Sequence, residues 1–203
     1  LPQAFMNYLA RLGWSLGDRE IFTLDELLNN FRSGNLNTAP ASFSLDKLIW
    51  YNKEYLNSME FTDLVNLILS KDIKNDQYSK DVIELIRERC NSLNDFSTES
   101  QYFYNKPVSF REEDKNKAIK ENTLNLLNSL SVRLSKLTDW KSESIQEEIK
   151  AFVGEQEIGF ANIGIPLRLS LTGSLNSPSI DKVSELLGKE EVLERIDFAL
   201  KNF

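Results

Sequence analysis

Apolar side chains recur at helical spacing along most of this chain. Phe5, Tyr8, Leu9 and Leu12 fall at i, i+3, i+4 and i+7, which predicts a helix over about residues 2–12. Pro2 suits its first turn and Gly13 its C-terminal cap. Thr23-Leu24-Asp25-Glu26 has the spacing of a capping box and predicts a short helix near 24–32, with Leu27, Leu28 and Phe31 on its apolar face. The stretch Ser33 to Pro40 clusters Gly, Asn, Ser and Pro, and reads as a loop. A third helix is expected to start at Ser44, carrying Leu45, Leu48, Ile49, Asn52, Tyr55 and Leu56 on one stripe, with Trp50 in its core. Leu64, Val65, Ile68 and Leu69 predict a further helix, and Asp72 to Tyr78 is a polar connection. Val82, Ile83, Leu85 and Ile86 then lead a helix that runs out into Arg87-Glu88-Arg89.

Residues 97–110 mix Tyr102, Phe103 and Tyr104 with Asn105-Lys106-Pro107, and the proline forbids a helix running through, so a boundary is set near residue 101. Beyond it lies a long helical pattern from Ala118 and Ile119 through Leu124, Leu126, Leu127, Leu130, Val132 and Leu134. Another follows with Ile145, Ile149, Phe152 and Val153, for which Ser144 and Glu147 have capping spacing. Gly164 to Arg168 introduces an apolar run, followed by two turn-rich islands, Thr172-Gly173-Ser174 and Asn176-Ser177-Pro178-Ser179. Helices around 182–187 and 191–200 are split by Gly188. No solenoid-type repeat is present, and the reading is all-α, in two or three modules.

Composition narrows the chemistry. The 203 residues are 41% hydrophobic, enough for a core, and no apolar run approaches the length of a membrane span, so a membrane partner is not expected. With no histidine and a single cysteine, Ser-His and Cys-His nucleophile pairs, His-based metal sites and intrachain disulfides are all excluded. The formal charge of −7 fits a reducing cytoplasm and argues against non-specific coating of nucleic acid. The chain opens on Leu1-Pro2-Gln3 with no initiator Met and no signal-type n-region, and is read as a piece of a longer protein.

Candidate chemistry is correspondingly sparse. Glu112-Glu113, Glu147-Glu148 and Glu190-Glu191 are adjacent pairs that point apart on helices, and read as solvated faces. Gly188-Lys189 lacks the glycine-rich loop of a phosphate site. Cys90 reads as a small, half-buried hydrophobe. No catalytic residue and no metal site is expected. The informative pattern is basic side chains beside turns and aromatics: Arg87 and Arg89, the group Lys115, Lys117 and Lys120, and Arg168 ahead of the Ser/Thr/Asn turns. A few arginines at helix ends can read splayed bases in a single-stranded RNA loop. They can equally be solvating charges, or cations that favour helix C-termini. Composition and periodicity therefore reach as far as a helical binding module.

Three runs of residues carry more. Asn7-Tyr8-Leu9-Ala10-Arg11-Leu12-Gly13-Trp14-Ser15 with Gly17-Asp18-Arg19-Glu20-Ile21-Phe22-Thr23 resembles the segment after the KMSKS-type loop of bacterial glutamyl-tRNA synthetases. Phe43 through Lys47-Leu48-Ile49-Trp50-Tyr51-Asn52-Lys53-Glu54-Tyr55 resembles that family's F-x-x-x-K-L-x-W-x-N-x-x-Y run, with Ser44 where relatives often carry Asp. Pro166-Leu167-Arg168-Leu169-Ser170-Leu171-Thr172-Gly173-Ser174, Ser177-Pro178 and Leu186-Leu187-Gly188-Lys189-Glu190 resemble its C-terminal blocks. Residues 57–160 match more loosely.

The resemblance implies an all-α stem-contact helical module at 1–56, followed by a two-part helical anticodon-binding region at 57–101 and 102–203. It implies a class I synthetase without its nucleotide-binding fold, so this chain is expected not to activate glutamate itself and to need no cofactor. The parent would use ATP and magnesium, held by the missing part, to attach glutamate to tRNA(Glu). A monomer is expected. By the same resemblance Arg89 falls where discriminating members place the arginine that reads the third anticodon letter, and Arg168, Ser177 and Pro178 match positions lining the anticodon loop. Arg87, Lys115, Lys117 and Lys120 are candidate RNA backbone contacts. Capping for Arg89 and structural pairing with an acidic residue for Arg168 remain the alternatives, and for the whole chain the rival is a helical protein–protein adaptor without RNA affinity.

Overall fold

The computed structural model describes residues 1–31, 36–37, 40–69 and 76–203. Parts of the expected 33–40 loop and 72–78 connection lie outside the described residues. Twelve α-helices make up the described fold: α1 (Pro2–Gly13), α2 (Leu24–Asn30), α3 (Leu45–Ser58), α4 (Phe61–Leu69), α5 (Gln77–Ile86), α6 (Leu93–Tyr104), α7 (Glu112–Ala118), α8 (Thr123–Ser135), α9 (Ser142–Glu155), α10 (Ala161–Thr172), α11 (Ile180–Leu187) and α12 (Lys189–Asn202). A 3-10 turn, Arg87–Arg89, follows α5. Among the described residues there is no strand, only an isolated bridge between Trp14 and Leu36, so the chain is all-α. It forms two compact units, Leu1–Thr98 and Glu99–Phe203.

In the first unit α1 packs on α3, on a face that keeps Tyr8 and Leu12 of the predicted stripe but not Phe5 and Leu9. Ala4, Asn7 and Tyr8 are buried, whereas Phe5 and Leu9 are 46% and 47% exposed. The reason is polar. The Asn7 amide donates to the Glu20 carbonyl at 2.8 Å, and its Oδ1 accepts from the Phe22 amide at 2.6 Å and the Tyr55 hydroxyl at 2.9 Å. A buried amide with its donors and acceptors met fixes the rotation of the helix more strictly than an apolar face could. Trp50 is likewise not core: it is 40% exposed and meets Tyr51 edge to face, while Tyr51 beside it is fully buried. Neighbouring positions on a helix diverge by about 100°, so the stripe that buries Tyr51 turns Trp50 outward. On α2 the capping box forms as expected, with Glu26 N–H on Thr23 Oγ1 at 3.2 Å and Thr23 N–H on Glu26 Oε2 at 2.8 Å. Only Leu27 of its expected apolar face is buried; Leu28 and Phe31 are exposed. Ser44 caps α3, accepting from the Lys47 amide.

Tyr51 also completes an ionic cluster. Arg11 donates to both Glu20 carboxylate oxygens, at 3.2 and 2.9 Å, the Tyr51 hydroxyl donates to Glu20 Oε2, and Lys47 Nζ stands 3.5 Å from it. The Arg11 guanidinium, helped by the Tyr51 hydroxyl and Lys47, lowers the Glu20 pKa to about 2. Burial and the neighbouring carboxylate push the Tyr51 phenol up.

The second unit has one continuous core. Leu127 and Leu130 of α8, Ile145 and Phe152 of α9, Ile163, Leu167 and Leu171 of α10, and Ile196 of α12 are all essentially inaccessible to solvent. The long helical pattern expected from Ala118 is broken into α7 and α8, because Asn122 turns left-handed at φ 69°. Asparagine is among the few non-glycine residues that adopt this conformation readily. α9 begins at Ser142, so Ser144 sits in its first turn and bonds Asp139 instead of capping the helix. α10 runs through Pro166. It ends at Gly173, whose φ of 70° is a left-handed cap, and Gly188, at φ 82°, separates α11 from α12.

Candidate nucleic-acid interface

The first candidate site grows from the end of α5. Asp76 caps that helix by accepting from the Ser79 amide at 2.8 Å, and Val82, Ile83 and Ile86 bury its apolar stripe. After Ile86 the chain tightens into the 3-10 turn, closed by the Cys90 amide on the Arg87 carbonyl at 3.1 Å. Cys90 is buried completely, more deeply than its sequence context predicts, and anchors the far end of the turn.

Arg87 and Arg89 then have different surroundings. Arg87 reaches α3 and donates to the carbonyls of Leu56 (3.2 and 2.8 Å), Asn57 (2.9 Å) and Met59. These are carbonyls of the last turn of α3 and just beyond, without amide partners of their own helix, and a cation there also meets the negative end of the helix dipole. Arg87 therefore works as a clamp between the end of α5 and the end of α3. Arg89 lies two residues on, about 240° around a three-residue turn, and is exposed. The next residues are held too: the Asn91 and Ser92 amides donate to Asp95 at 2.8 and 3.0 Å, and the Asn52 side-chain amide donates to the Asn91 carbonyl.

The second candidate site is at the end of α10. Arg168 Nε donates to Ser177 Oγ at 3.0 Å, and the Ser177 hydroxyl donates to the Pro178 carbonyl at 2.8 Å, so Arg168, Ser177 and Pro178, nine to ten positions apart in sequence, form one cluster. The intervening turn closes on its own side chains. Thr172 Oγ1 lies 2.9 Å from the Arg168 carbonyl and accepts from the Ser174 amide at 3.1 Å, and Ser174 Oγ accepts from the Asn176 amide at 3.1 Å. Ser177 is buried, while Arg168 and Pro178 are half-buried and Asn176 is exposed. Gly173 supplies the left-handed φ, and a Cβ there would stand 3.5 Å from Pro107.

Lys115 is only 18% exposed and spends its charge on Glu112 at 2.6 Å, whereas Lys117 and Lys120 are exposed. Sequence reasoning missed Arg195, a buried arginine beside this turn that is 3% exposed. Its signal was available: Val192, Arg195, Ile196 and Ala199 have the spacing of one helix face, and a charge on an otherwise apolar stripe marks a buried polar contact.

Among the described residues no group of three or more His, Cys, Asp or Glu side chains could hold a metal ion, and no helix is long and apolar enough to cross a membrane. What the two sites present is the exposed Arg89 guanidinium and Asn176 amide, with a half-buried Arg168, on backbone held by many hydrogen bonds.

The sequence pattern of the anticodon binding domain matches residues 52–200. The chain belongs to this family. It is 37% identical over 206 residues to a glutamate–tRNA ligase of Ruthia magnifica, covering 98% of this chain, and 37% identical over 207 residues to one of Legionella pneumophila, covering 99%. The chain spans about 45% of the length of these curated relatives. Among solved structures it resembles a glutamate–tRNA ligase of Elizabethkingia meningosepticum crystallised with its amino acid, with a TM-score of 0.88, 32% identity, and coverage of 99% of this chain and 41% of that one. The anticodon-binding match reaches across both candidate sites, and the whole of this chain has counterparts in glutamate–tRNA ligases.

Proposed function

We propose that this chain is the tRNA-recognising region of a glutamate–tRNA ligase, which binds the anticodon arm of tRNA(Glu) as a monomer in the cytoplasm while the remainder of the enzyme uses ATP and magnesium to attach glutamate. The observation that carries the reading is the pairing of a clamped Arg87 with an exposed Arg89 on one three-residue turn, in a chain whose relatives are glutamate–tRNA ligases. Arg89 is the reader of the third anticodon letter. Cytosine offers acceptors at O2 and N3, where guanine turns N1–H and N2–H₂ donors to the same edge, and a guanidinium is donor only. It accepts C and rejects G. Arg168, with Ser177 and Pro178, supports the anticodon loop through the second site, and Lys117 and Lys120 supply phosphate contacts.

The test is binding of two tRNA(Glu) transcripts that differ only in the third anticodon letter, C or G, to this 203-residue chain. The native chain prefers C, and Arg89→Gln, which can donate and accept, narrows the preference by the ~1–3 kcal/mol of a lost charged hydrogen bond. Equal preference before and after the substitution removes Arg89 from the reading role. Binding insensitive to both salt and tRNA identity favours the protein–protein adaptor instead.

A further inference from the structure

We propose that Arg195 is a positioning residue for RNA recognition: from the interior of the second unit it sets the course of the Gly173–Pro178 turn, on which Arg168 and Ser177 act. This rests on the reading of that turn as an RNA contact.

Arg195 lies in the apolar stripe of α12, between Val192 and Ile196, and is 3% exposed. Its Nη1 donates to two carbonyls, Tyr102 at 2.7 Å and Leu171 at 2.5 Å, and its Nε donates to Glu191 at 2.7 Å. Both carbonyls are in the last turns of their helices, α6 and α10, where a carbonyl has no amide of its own helix to accept from. One guanidinium thus closes two helix ends and places a positive charge at the negative pole of each. Leu171 is the second residue before Gly173, so the tie falls where the chain leaves α10 for the turn. The Pro107 ring lies against Gly173. The start of the turn is therefore held from the interior, and its far side by the Arg168–Ser177 bond.

Burial alone does not call for an arginine here. A buried ion pair stabilises no more than apolar side chains of similar volume in many proteins, but it does fix geometry by demanding its partners. An apolar side chain at this position would fill α12's stripe and leave the Leu171 and Tyr102 carbonyls to find their own places.

The experiment uses the 203-residue chain, Arg195→Lys and Arg195→Met, with Val192→Ala as a control that weakens the same helix without touching the tie. Two readouts are taken where all variants are folded: amide exchange at Gly173, Ser174 and Asn176, and affinity for a tRNA(Glu) transcript. Exchange at these amides rises about tenfold in Arg195→Met and affinity falls about tenfold, Arg195→Lys lies between, and Val192→Ala changes neither. Combined with Ser177→Ala, Arg195→Met costs little further affinity, because both act through one turn. Unchanged exchange, an equal loss of affinity in Val192→Ala, or full additivity with Ser177→Ala overturns the proposal. If Arg168→Ala and Ser177→Ala bind the transcript as the native chain does, the RNA reading of the turn fails first, and Arg195 is left as a fastening of two helix ends only.

Discussion

Arg87 and Arg89 carry the same charge two residues apart, and substitution of Arg87 is expected to act on stability, where substitution of Arg89 acts on RNA discrimination. In Arg87→Leu the apolar stem is retained, but four hydrogen bonds to the Leu56, Asn57 and Met59 carbonyls are lost. The site is half-buried, so water can reach some of these carbonyls, and the loss is that of one or two charge-assisted bonds, about 2 kcal/mol, not of four. With a urea m-value of about 1–2 kcal/mol/M for a unit of this size, the unfolding midpoint of the first unit falls by about 1–2 M. The second assay is the dependence of tRNA affinity on salt. A residue that neutralises one phosphate contributes about 0.7–0.9 to the slope of log K against log salt. Because Arg87 spends its donors on α3, its removal leaves that slope unchanged once the temperature is low enough for the first unit to be folded. Arg89→Gln, by contrast, should change RNA discrimination. A stability change below about 0.5 kcal/mol in Arg87→Leu, together with a slope lowered by nearly one unit, would refute the clamp and restore Arg87 to the RNA backbone.

Glu20, held near a pKa of 2 by Arg11, Tyr51 and Lys47, makes the first unit acid-sensitive. Its carboxylate is depressed from 4.5, so its stabilisation is complete above about pH 5 and is lost as pH falls toward 2. Solvent reaches a third of the side chain, which discounts the effect to about 1–2 kcal/mol, and Glu20→Gln should flatten the stability profile between pH 5 and 2. An unchanged acid limb would rule this out. Gly173→Ala meets Pro107 only at ordinary contact distance, so its cost is the left-handed φ alone, about 1 kcal/mol by thermal unfolding. A cost above about 3 kcal/mol would mean that the alanine cannot share the space with Pro107.

The elements legible in the sequence were those specified by local chemistry. The Thr23/Glu26 box, the Ser44 cap and the glycine stop at 188 each satisfy helix ends with residues a few positions away, and each forms where its spacing places it, whereas Gly13, expected as a cap, is the last residue of α1. What stayed hidden depends on partners distant in sequence. Asn7 rotates α1 because of Glu20, Phe22 and Tyr55, up to 48 residues off, and an asparagine adds nothing to a hydrophobic pattern. Trp50 illustrates the same limit from the other side: an apolar residue on a helix near a buried stripe reads as core, and only the fixed direction of Tyr51 toward Glu20 turns it outward. Among the candidate site residues, Ser177 and Pro178 were named by motif alone and Arg168 also by its place ahead of the turns, and the turn then joins them by hydrogen bonds. Arg87 could not be told from Arg89 without the coordinates, since their difference is a direction in space.

Both candidate sites use one device. Arg87 takes the terminal carbonyls of α3 and so fixes the turn that presents Arg89; Arg195 takes those of α6 and α10 and so fixes the turn that carries the Arg168–Ser177 pair. In each case a guanidinium engaged with helix-end carbonyls holds the segment next to it. The arrangement suits discrimination of single-stranded bases, where a contact of one or two hydrogen bonds must be made at a fixed place without the cost of ordering a loop at each encounter. It follows that charge counting misjudges this chain. On the proposed reading, an acidic protein with a formal charge of −7 keeps its selectivity in a few arginines on hydrogen-bonded backbone, and adding lysines to its surface should raise affinity for any RNA while lowering the preference between two anticodons.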